Sequence, residues 1–254
     1  MGMTDDGRSP PSALRGRLAD VYVPALVSGS VDALSRRLGD RATIDDPLYG
    51  RASSLASIDP LLARAAARFA EGKASYEHIS STTGVDRDAA EGRLVLTVAG
   101  KTRSFPIAIV AERRRLREIE LRVYYSPGGD TGGRKPRAAL GPNEPGTALV
   151  VDLVDSIFAG LRKGAVEQAL AGFEEAARVI DASGREHTKA DGAMGTFFSE
   201  LGALDFAVGG CADDGRTVCI EANVTRAQHA PTPTMLAFER GDSGLVRELR
   251  VYWD

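Results

Sequence analysis

The chain is poor in the residues that hold metals and disulfides. Its 254 residues include only two cysteines and three histidines, and His78, His187 and His229 share no metal-ligand spacing. It also lacks a glycine-rich phosphate loop, a HExxH zinc motif and a nucleophile elbow. These absences predict a protein that needs no metal, nucleotide or other cofactor. Cys211 and Cys219 are expected to be reduced thiols.

Long hydrophobic runs and a strong charge excess are missing as well. No stretch approaches the 18 or so apolar residues that indicate a membrane helix, and the N-terminus shows no apolar signal segment. The net charge of -3 provides no basic surface for nucleic acid. We therefore expect a cytoplasmic protein that binds neither membranes nor nucleic acids.

The sequence does contain an internal repeat, in which one pattern occurs twice. Residues 120–125 read ELRVYY, and residues 248–253 read ELRVYW. Further matches keep the same order in both halves: Gly29–Asp32 with Gly164–Glu167, Leu38 with Phe173, Asp46 with Asp181, and Phe69–Glu71 with Phe198–Glu200. Such ordered self-similarity is typical of a duplicated structural unit.

The segment between the two copies has the composition of a linker. Residues 127–146 are rich in glycine and proline and contain few apolar residues, a composition that does not support a packed core. The sequence therefore predicts a first domain at 12–126, a linker at 127–146 and a second domain at 147–254.

Each copy begins with helical periodicity and ends with strand-like runs. In the first copy we predict a helix from Leu14 that Pro24 kinks or ends early. The other predicted elements are a helix at 31–38, a strand at 41–46, a helix at 58–71, and strands at 76–83, 93–98, 103–111 and 118–125. This order predicts an α+β fold in which a curved antiparallel sheet wraps around the helices as a cone-shaped roll. The two rolls are expected to pack as a pseudo-dimer through the outer faces of their sheets, within a monomeric chain.

The segment Arg41–Pro47, which reads RATIDDP, resembles the acidic motif of ketosteroid isomerase-like and SnoaL-like proteins, which share the cystatin-like α+β roll. In that family the second acid of the motif is the catalytic base, and a tyrosine seven residues before a glycine on the first helix is a hydrogen-bond donor. The resemblance implies Asp46 as the base and Tyr22, seven residues before Gly29, as the donor. We expect apolar surroundings to raise the pKa of Asp46.

Both copies also depart from the family pattern. The family's protonated aspartic acid would fall near residues 105–109, where the sequence FPIAI contains no carboxyl group. The second copy keeps the acid as Asp181, a further candidate catalytic residue, but has Ile157 in the place of Tyr22 and Ala182 in the place of Pro47. We expect this second copy to be mainly structural or to form a binding pocket.

Three functions remain open from the sequence. The leading one is a cofactor-free isomerase or cyclase that acts on a small apolar molecule with an activated carbonyl. The second is a tandem epoxide hydrolase or cyclase of the polyether type, in which Glu71 and Glu200 would pair with Asp46 and Asp181 as acid–base couples. The third is a non-catalytic protein whose pocket binds a small apolar ligand.

Overall fold

The computed structural model of the chain describes residues 16–98, 100–114, 118–126, 137–141, 152–227 and 229–253. Of the predicted linker only 137–141 is described, and the predicted domain starts at 12 and 147 lie outside the described residues. The domain limits therefore stay predictions. Among the described residues, no helix has both the length and the apolar character that crossing a membrane requires.

The same order of elements occurs in both halves of the chain. The first half contains α1 (Leu18–Val27), α2 (Val31–Leu38), β1 (Ala42–Asp46), β2 (Gly50–Ala52), α3 (Leu55–Glu71), β3 (Ser75–Thr83), β4 (Arg87–Val98), β5 (Lys101–Arg113) and β6 (Ile119–Tyr124). The second half contains α4 (Asp152–Arg162), α5 (Val166–Leu170), β7 (Phe173–Ile180), β8 (Glu186–Thr188), α6 (Ala193–Leu201), β9 (Leu204–Asp213), β10 (Thr217–Arg226), β11 (Thr232–Arg240) and β12 (Val246–Trp253).

Two helix boundaries differ from the predictions for local reasons. Helix α1 runs through Pro24 to Val27 because the carbonyl of Pro24 still accepts a hydrogen bond, 2.9 Å from the amide of Ser28. Proline removes its own amide donor and crowds the carbonyl of the preceding turn, but neither effect acts on the turn that follows it, so the last turn can still form. Helix α3 begins at Leu55 rather than Ile58 because Ser54 caps it through a capping box with Ser57.

Each sheet has six strands, in the orders β2-β1-β6-β5-β4-β3 and β8-β7-β12-β11-β10-β9. The sheets are mixed rather than wholly antiparallel, because β1 runs parallel to β6 and β7 runs parallel to β12. The parallel pairing follows from the order of the strands. Helix α3 carries the chain to the far edge of the sheet, and the antiparallel strands β3 to β6 then lead back, so that β6 lies beside β1 and runs in the same direction.

The register of the two sheets confirms the alignment of the repeats. Asp45 pairs with Arg122 in the first sheet, and Ile180 pairs with Arg250 in the second. Arg122 and Arg250 occupy the same place in the repeated ELRVY block, so their strand partners, Asp45 and Ile180, are equivalent. The residues that follow these two partners in the chain are then equivalent as well. Asp46 and Asp181 therefore hold corresponding positions, just as the sequence match indicates.

The two rolls pack through the outer faces of their sheets, which is the predicted pseudo-dimer. Glu221 on β10 accepts hydrogen bonds from Arg122 and from the hydroxyl of Tyr124 on β6. Glu91 on β4 accepts the corresponding bonds from Arg250 and Tyr252 on β12. Each contact is thus made twice, as an approximate two-fold axis requires. Alanines, Val110, Cys219 and Met235 fill the apolar space between these pairs.

Candidate active site

Asp46 is the last residue of β1, and its side chain lies on the inner face of the first roll. Ala42 and Ile44, which share this face because strand side chains alternate, belong to the apolar core inside the roll. Asp45 lies on the opposite face, where its carboxylate is near Arg51. The carboxyl group of Asp46 is therefore enclosed by the helices and the concave side of the sheet, and only 4% of the residue is exposed.

A tight turn holds one oxygen of this carboxyl group. The backbone amides of Leu48 and Tyr49 donate to Oδ1 of Asp46 over 2.8 and 3.1 Å. The hydroxyl of Tyr125, which follows β6, donates to the same oxygen over 3.3 Å. These three hydrogen bonds all reach Oδ1, which makes Oδ2 the oxygen better placed to accept a proton from a bound molecule.

Burial raises the pKa of Asp46 from 3.8 to about 6, since a charged carboxylate is poorly solvated inside the roll. The amides of Leu48 and Tyr49, the positive charge of Arg137 and the Tyr125 hydroxyl all lower this pKa, but they do not outweigh desolvation. The shift has the direction that the sequence predicts. At neutral pH the group is ionised and has a higher proton affinity than an exposed aspartate.

Three tyrosines surround the carboxyl group. Burial, and after it the negative charge of Asp46, raises the pKa values of Tyr22, Tyr49 and Tyr125, that of Tyr49 to about 12. All three phenols therefore keep their protons at neutral pH. The hydroxyl oxygens of Tyr22 and Tyr49 are buried, and no described residue makes a hydrogen bond to either. Both groups can thus donate a hydrogen bond to a bound molecule.

Tyr22 and Asp46 are the residues that the sequence predicts for this site. Tyr49, Tyr125 and Arg137 also lie near Asp46, and the sequence does not indicate them. Tyr125 ends the repeated ELRVYY block, so its place next to β1 becomes visible only once the parallel pairing of β1 and β6 is known. Tyr49 follows Asp46 by three residues, and the turn at Pro47 brings it back towards the carboxyl group. Arg137 stands in the glycine- and proline-rich linker, where composition gives no indication of a contact.

The strand that would carry the family's protonated aspartic acid supplies only apolar groups. Phe105, Ile107 and Ile109 on β5 point into the core of the first roll. No carboxyl group on this part of β5 replaces the absent acid, which agrees with the departure seen in the sequence.

Asp181 in the second domain has a different environment. Its Oδ1 accepts hydrogen bonds from the amides of Ser183 and Arg185 over 2.9 and 3.0 Å, and its Oδ2 lies 3.0 Å from Nε2 of His187. Although partial burial alone would raise its pKa, the bonds to His187, Ser183 and Arg185 lower it. Ile157 is buried in the apolar core, as the sequence comparison suggests. The contacts of Asp181 are those of a turn-forming carboxylate.

The acid–base couples with Glu71 and Glu200 are not formed. Glu71, at the end of α3, and Glu200, near the end of α6, are both exposed, whereas Asp46 is buried.

The second roll contains an apolar cavity of about 50 Å³ lined by aromatic and aliphatic side chains such as Phe158, Phe206 and Trp253. The described residues contain no cluster of three or more His, Cys, Asp or Glu side chains placed to hold a metal ion.

A polar groove of about 780 Å³ also lies between β3 and the outer face of the second sheet. Its lining includes Arg216, Glu239 and Arg250, whose charged groups are already paired with one another. Neither Asp46 nor Tyr22 lines this groove. The predicted catalytic residues and the groove are therefore separate features of the molecule.

Comparison with solved structures finds similar proteins that align over less than half of this chain. An NTF2-like protein from Cytophaga hutchinsonii matches with 16% identity over 41% of this chain and 88% of that protein, at a TM-score of 0.36. A protein with a ketosteroid isomerase-like fold from Catenulispora acidiphila, in complex with trimethylamine, matches with 18% identity over 44% and 86%, at 0.37. An epoxide hydrolase/cyclase-like enzyme of pyran ring formation in salinomycin matches with 16% identity over 43% and 88%, at 0.35.

Each of these matches covers 41–44% of the chain. The chain is an α+β protein with two tandem domains, each a six-stranded mixed sheet preceded by helices. Comparisons with protein-family models and with curated proteins find no match.

Proposed function

We propose that the first domain is a cofactor-free isomerase or cyclase that acts on a small apolar molecule with an activated carbonyl. The observation that carries the proposal is the pairing of a buried carboxylate, Asp46, with the buried hydroxyl of Tyr22, which has no hydrogen-bond partner among the described residues. A base and a donor inside one apolar roll are the two groups that enolisation requires.

The reaction that this arrangement supports is a proton transfer. Oδ2 of Asp46 takes a proton from the carbon next to the carbonyl, and the electron pair of that C–H bond moves into the enolate. The hydroxyl of Tyr22 donates a hydrogen bond to the enolate oxygen, where negative charge develops. Protonated Asp46 then returns its proton to another carbon of the molecule. A base with a pKa of about 6 suits this cycle, because its conjugate acid can give the proton back at neutral pH.

Tyr49 is the second donor in this proposal. Its hydroxyl is buried without a hydrogen-bond partner among the described residues, and the charge of Asp46 acts on it. A tyrosine in this place supplies the hydrogen bond that the family's protonated aspartic acid would donate, since β5 carries no acid at that position. Donors of this kind typically contribute about 10²–10³-fold to the rate.

The other candidate functions have less support. The epoxide hydrolase or cyclase reading needs a second carboxyl group near Asp46, and Glu71 is exposed at the end of α3. Asp181 as a base is opposed by its lowered pKa and its bonds within the turn. We propose that the second domain is a structural partner whose small apolar cavity has no part in the chemistry. Because the two rolls pair within one chain, we propose that the protein is a monomer, and we propose that it is cytoplasmic.

A matched pair of variants tests the proposal. A screen of conjugated ketones and small epoxides against the full chain first identifies a substrate. Asp46→Asn keeps the shape and removes the base, so we expect turnover to fall by about 10³-fold or more. Asp181→Asn at the equivalent position should leave most of the turnover. Equal losses in the two variants, or full activity in Asp46→Asn, would overturn the assignment.

A further inference from the structure

Arg137 connects the linker to the two strands that carry the site. Its Nη2 donates to the carbonyl oxygen of Asp45 over 3.1 Å and also to the carbonyl oxygen of Val123. Its Nε lies 3.5 Å from Oδ1 of Asp45, and the guanidinium stacks 4.5 Å from the centre of the Tyr124 ring. The side chain is only 2% exposed, so these contacts are made inside the protein.

The two carbonyl groups mark the place where pairing between the parallel strands stops. The described ladder between β1 and β6 ends with Asp45 opposite Arg122. Asp46 follows Asp45, and Tyr125 lies two residues after Val123, so both site residues stand just past the end of the ladder. The Arg137 side chain bridges the two strands at this point, where ladder hydrogen bonds no longer hold them together.

The linker segment is held in turn by the second domain. The amide of Leu140 donates to Oδ1 of Asn223 over 2.8 Å, and Nδ2 of Asn223 donates to the carbonyl of Leu140 over 3.0 Å. The side chain of Leu140 also lies over Gly209, so close that a Cβ atom there would be 3.2 Å from it. A continuous series of contacts thus leads from β10 through the linker to the ends of β1 and β6.

We propose that Arg137 is a positioning residue that fixes the Asp46 carboxyl group against the Tyr125 hydroxyl, and that the second domain supports the site of the first through it. The importance of this role for catalysis rests on the proposed function. The contacts themselves do not depend on it. The positive charge of Arg137 and the hydrogen bond from Tyr125 both lower the pKa of Asp46, so the loss of Arg137 raises it.

The test is a titration of the Asp46 carboxyl carbon by NMR in the full chain, with Arg137→Gln and Arg51→Gln compared. Arg51 is a matched control because it lies 3.6 Å from Oδ2 of the same Asp45, but its side chain is 55% exposed and pairs with Glu120. We expect Arg137→Gln to shift the pKa of Asp46 upward and Arg51→Gln to leave it unchanged. Arg137→Lys should recover only part of the shift, because lysine keeps the charge but lacks the planar guanidinium that stacks on the Tyr124 ring.

The remote variant Asn223→Ala extends the test to the second domain. It removes the two hydrogen bonds that anchor Leu140, and we expect a smaller shift of the Asp46 pKa in the same direction. If Arg137→Gln fails to fold, the pKa of Asp46 in Arg137→Lys and in Asn223→Ala tests the proposal instead. An unchanged pKa of Asp46 in folded Arg137 variants, or an equal shift in Arg51→Gln, overturns the proposal. These results need no substrate, so they are independent of the turnover experiment that tests the proposed function.

Discussion

Two aspartates at equivalent positions of the repeat have opposite electrostatic environments. Asp46 is enclosed by apolar groups and phenols, whereas Asp181 is held by turn amides and His187. The sequence alone places both residues correctly, because the match of Asp46 with Asp181 follows from neighbouring residues. The family resemblance predicts the raised pKa of Asp46. The sequence does not reveal the contacts of Asp181, because these depend on a turn that remains at the surface, as at Ser183.

This difference predicts opposite effects of pH on stability. The pKa of Asp46 in the folded state, about 6, exceeds the unfolded value of 3.8, so the native state binds this proton more tightly. Its contribution is therefore lost as the pH rises from 4 to 6, by up to about 3 kcal/mol. Asp46→Asn should gain stability relative to wild type over this range. The three tyrosines around Asp46, Tyr22, Tyr49 and Tyr125, have raised pKa values and keep their protons over this range.

Asp181→Asn provides the comparison with the opposite sign. The lowered pKa of Asp181 contributes stability that is present above pH 4 and is lost as the pH falls through the folded-state value. Urea unfolding of the wild type and both variants between pH 3 and pH 8 measures both effects. Parallel stability curves for wild type and Asp46→Asn would show that Asp46 is not a desolvated acid.

At the level of elements, the helices and most strands follow from periodicity, but β4 does not. It starts at Arg87, whereas the sequence predicts a strand only from Arg93. Residues 87–92 read RDAAEG, a polar composition that is typical of a loop. These residues form a strand because Arg87 and Glu91 are paired with charged groups of the other domain. A pattern of apolar residues cannot reveal a strand whose buried side chains are ionic.

Strand β9 needs a glycine at position 210, because the Arg87 side chain fills the space beside it. The Nη1 atom of Arg87 lies 0.8 Å from the place where a Cβ atom of residue 210 would stand. Gly210→Ala should push this guanidinium away from Glu112, which it contacts at 3.0 Å, and destabilise the protein by about 1–3 kcal/mol. Ser80 pairs with Glu91 as Gly210 pairs with Glu221, so Ser80→Ala is the control and should have little effect.

Chemical denaturation of the two variants measures this difference. The double variant Arg87→Ala with Gly210→Ala should cost less than the sum of the single changes, because the second substitution then meets no guanidinium. Strict additivity would mean that the alanine acts elsewhere.

For the whole molecule, the two buried Glu–Arg–Tyr networks decide how firmly the rolls are joined. Duplication and the α+β class could be predicted from the repeated ELRVY blocks, but the role of these blocks at the interface could not. Arg122 and Tyr124 alternate with core residues of β6, so the sequence marks them only as the outer face of a strand. Their partner Glu221 is almost 100 residues away in the chain, and no local pattern connects them.

Removal of either buried glutamate should destabilise the protein strongly. Glu221→Ala and Glu91→Ala each remove the bidentate partner of a buried arginine and the acceptor of a buried tyrosine hydroxyl. Arg122 keeps Glu112 and Arg250 keeps Glu239, so we expect each loss to cost about 1–3 kcal/mol. Glu77→Ala is the control, because Glu77 pairs with Arg93 at 3.8 Å and both side chains are more than half exposed, so its loss should cost less than about 1 kcal/mol. Unfolding free energies measure all three. An equally small loss at Glu221 would mean that the network does not hold the rolls together.

The covalent connection between the rolls also determines how the site responds to dilution. A pair of separate subunits with this interface would dissociate when its concentration falls below the dissociation constant. In this chain the linker keeps the second roll near the first at an effective concentration on the order of millimolar, whatever the number of molecules in solution. The support that Asn223, Leu140 and Arg137 give to Asp46 is therefore available to a single molecule, and the activity per molecule should not depend on protein concentration.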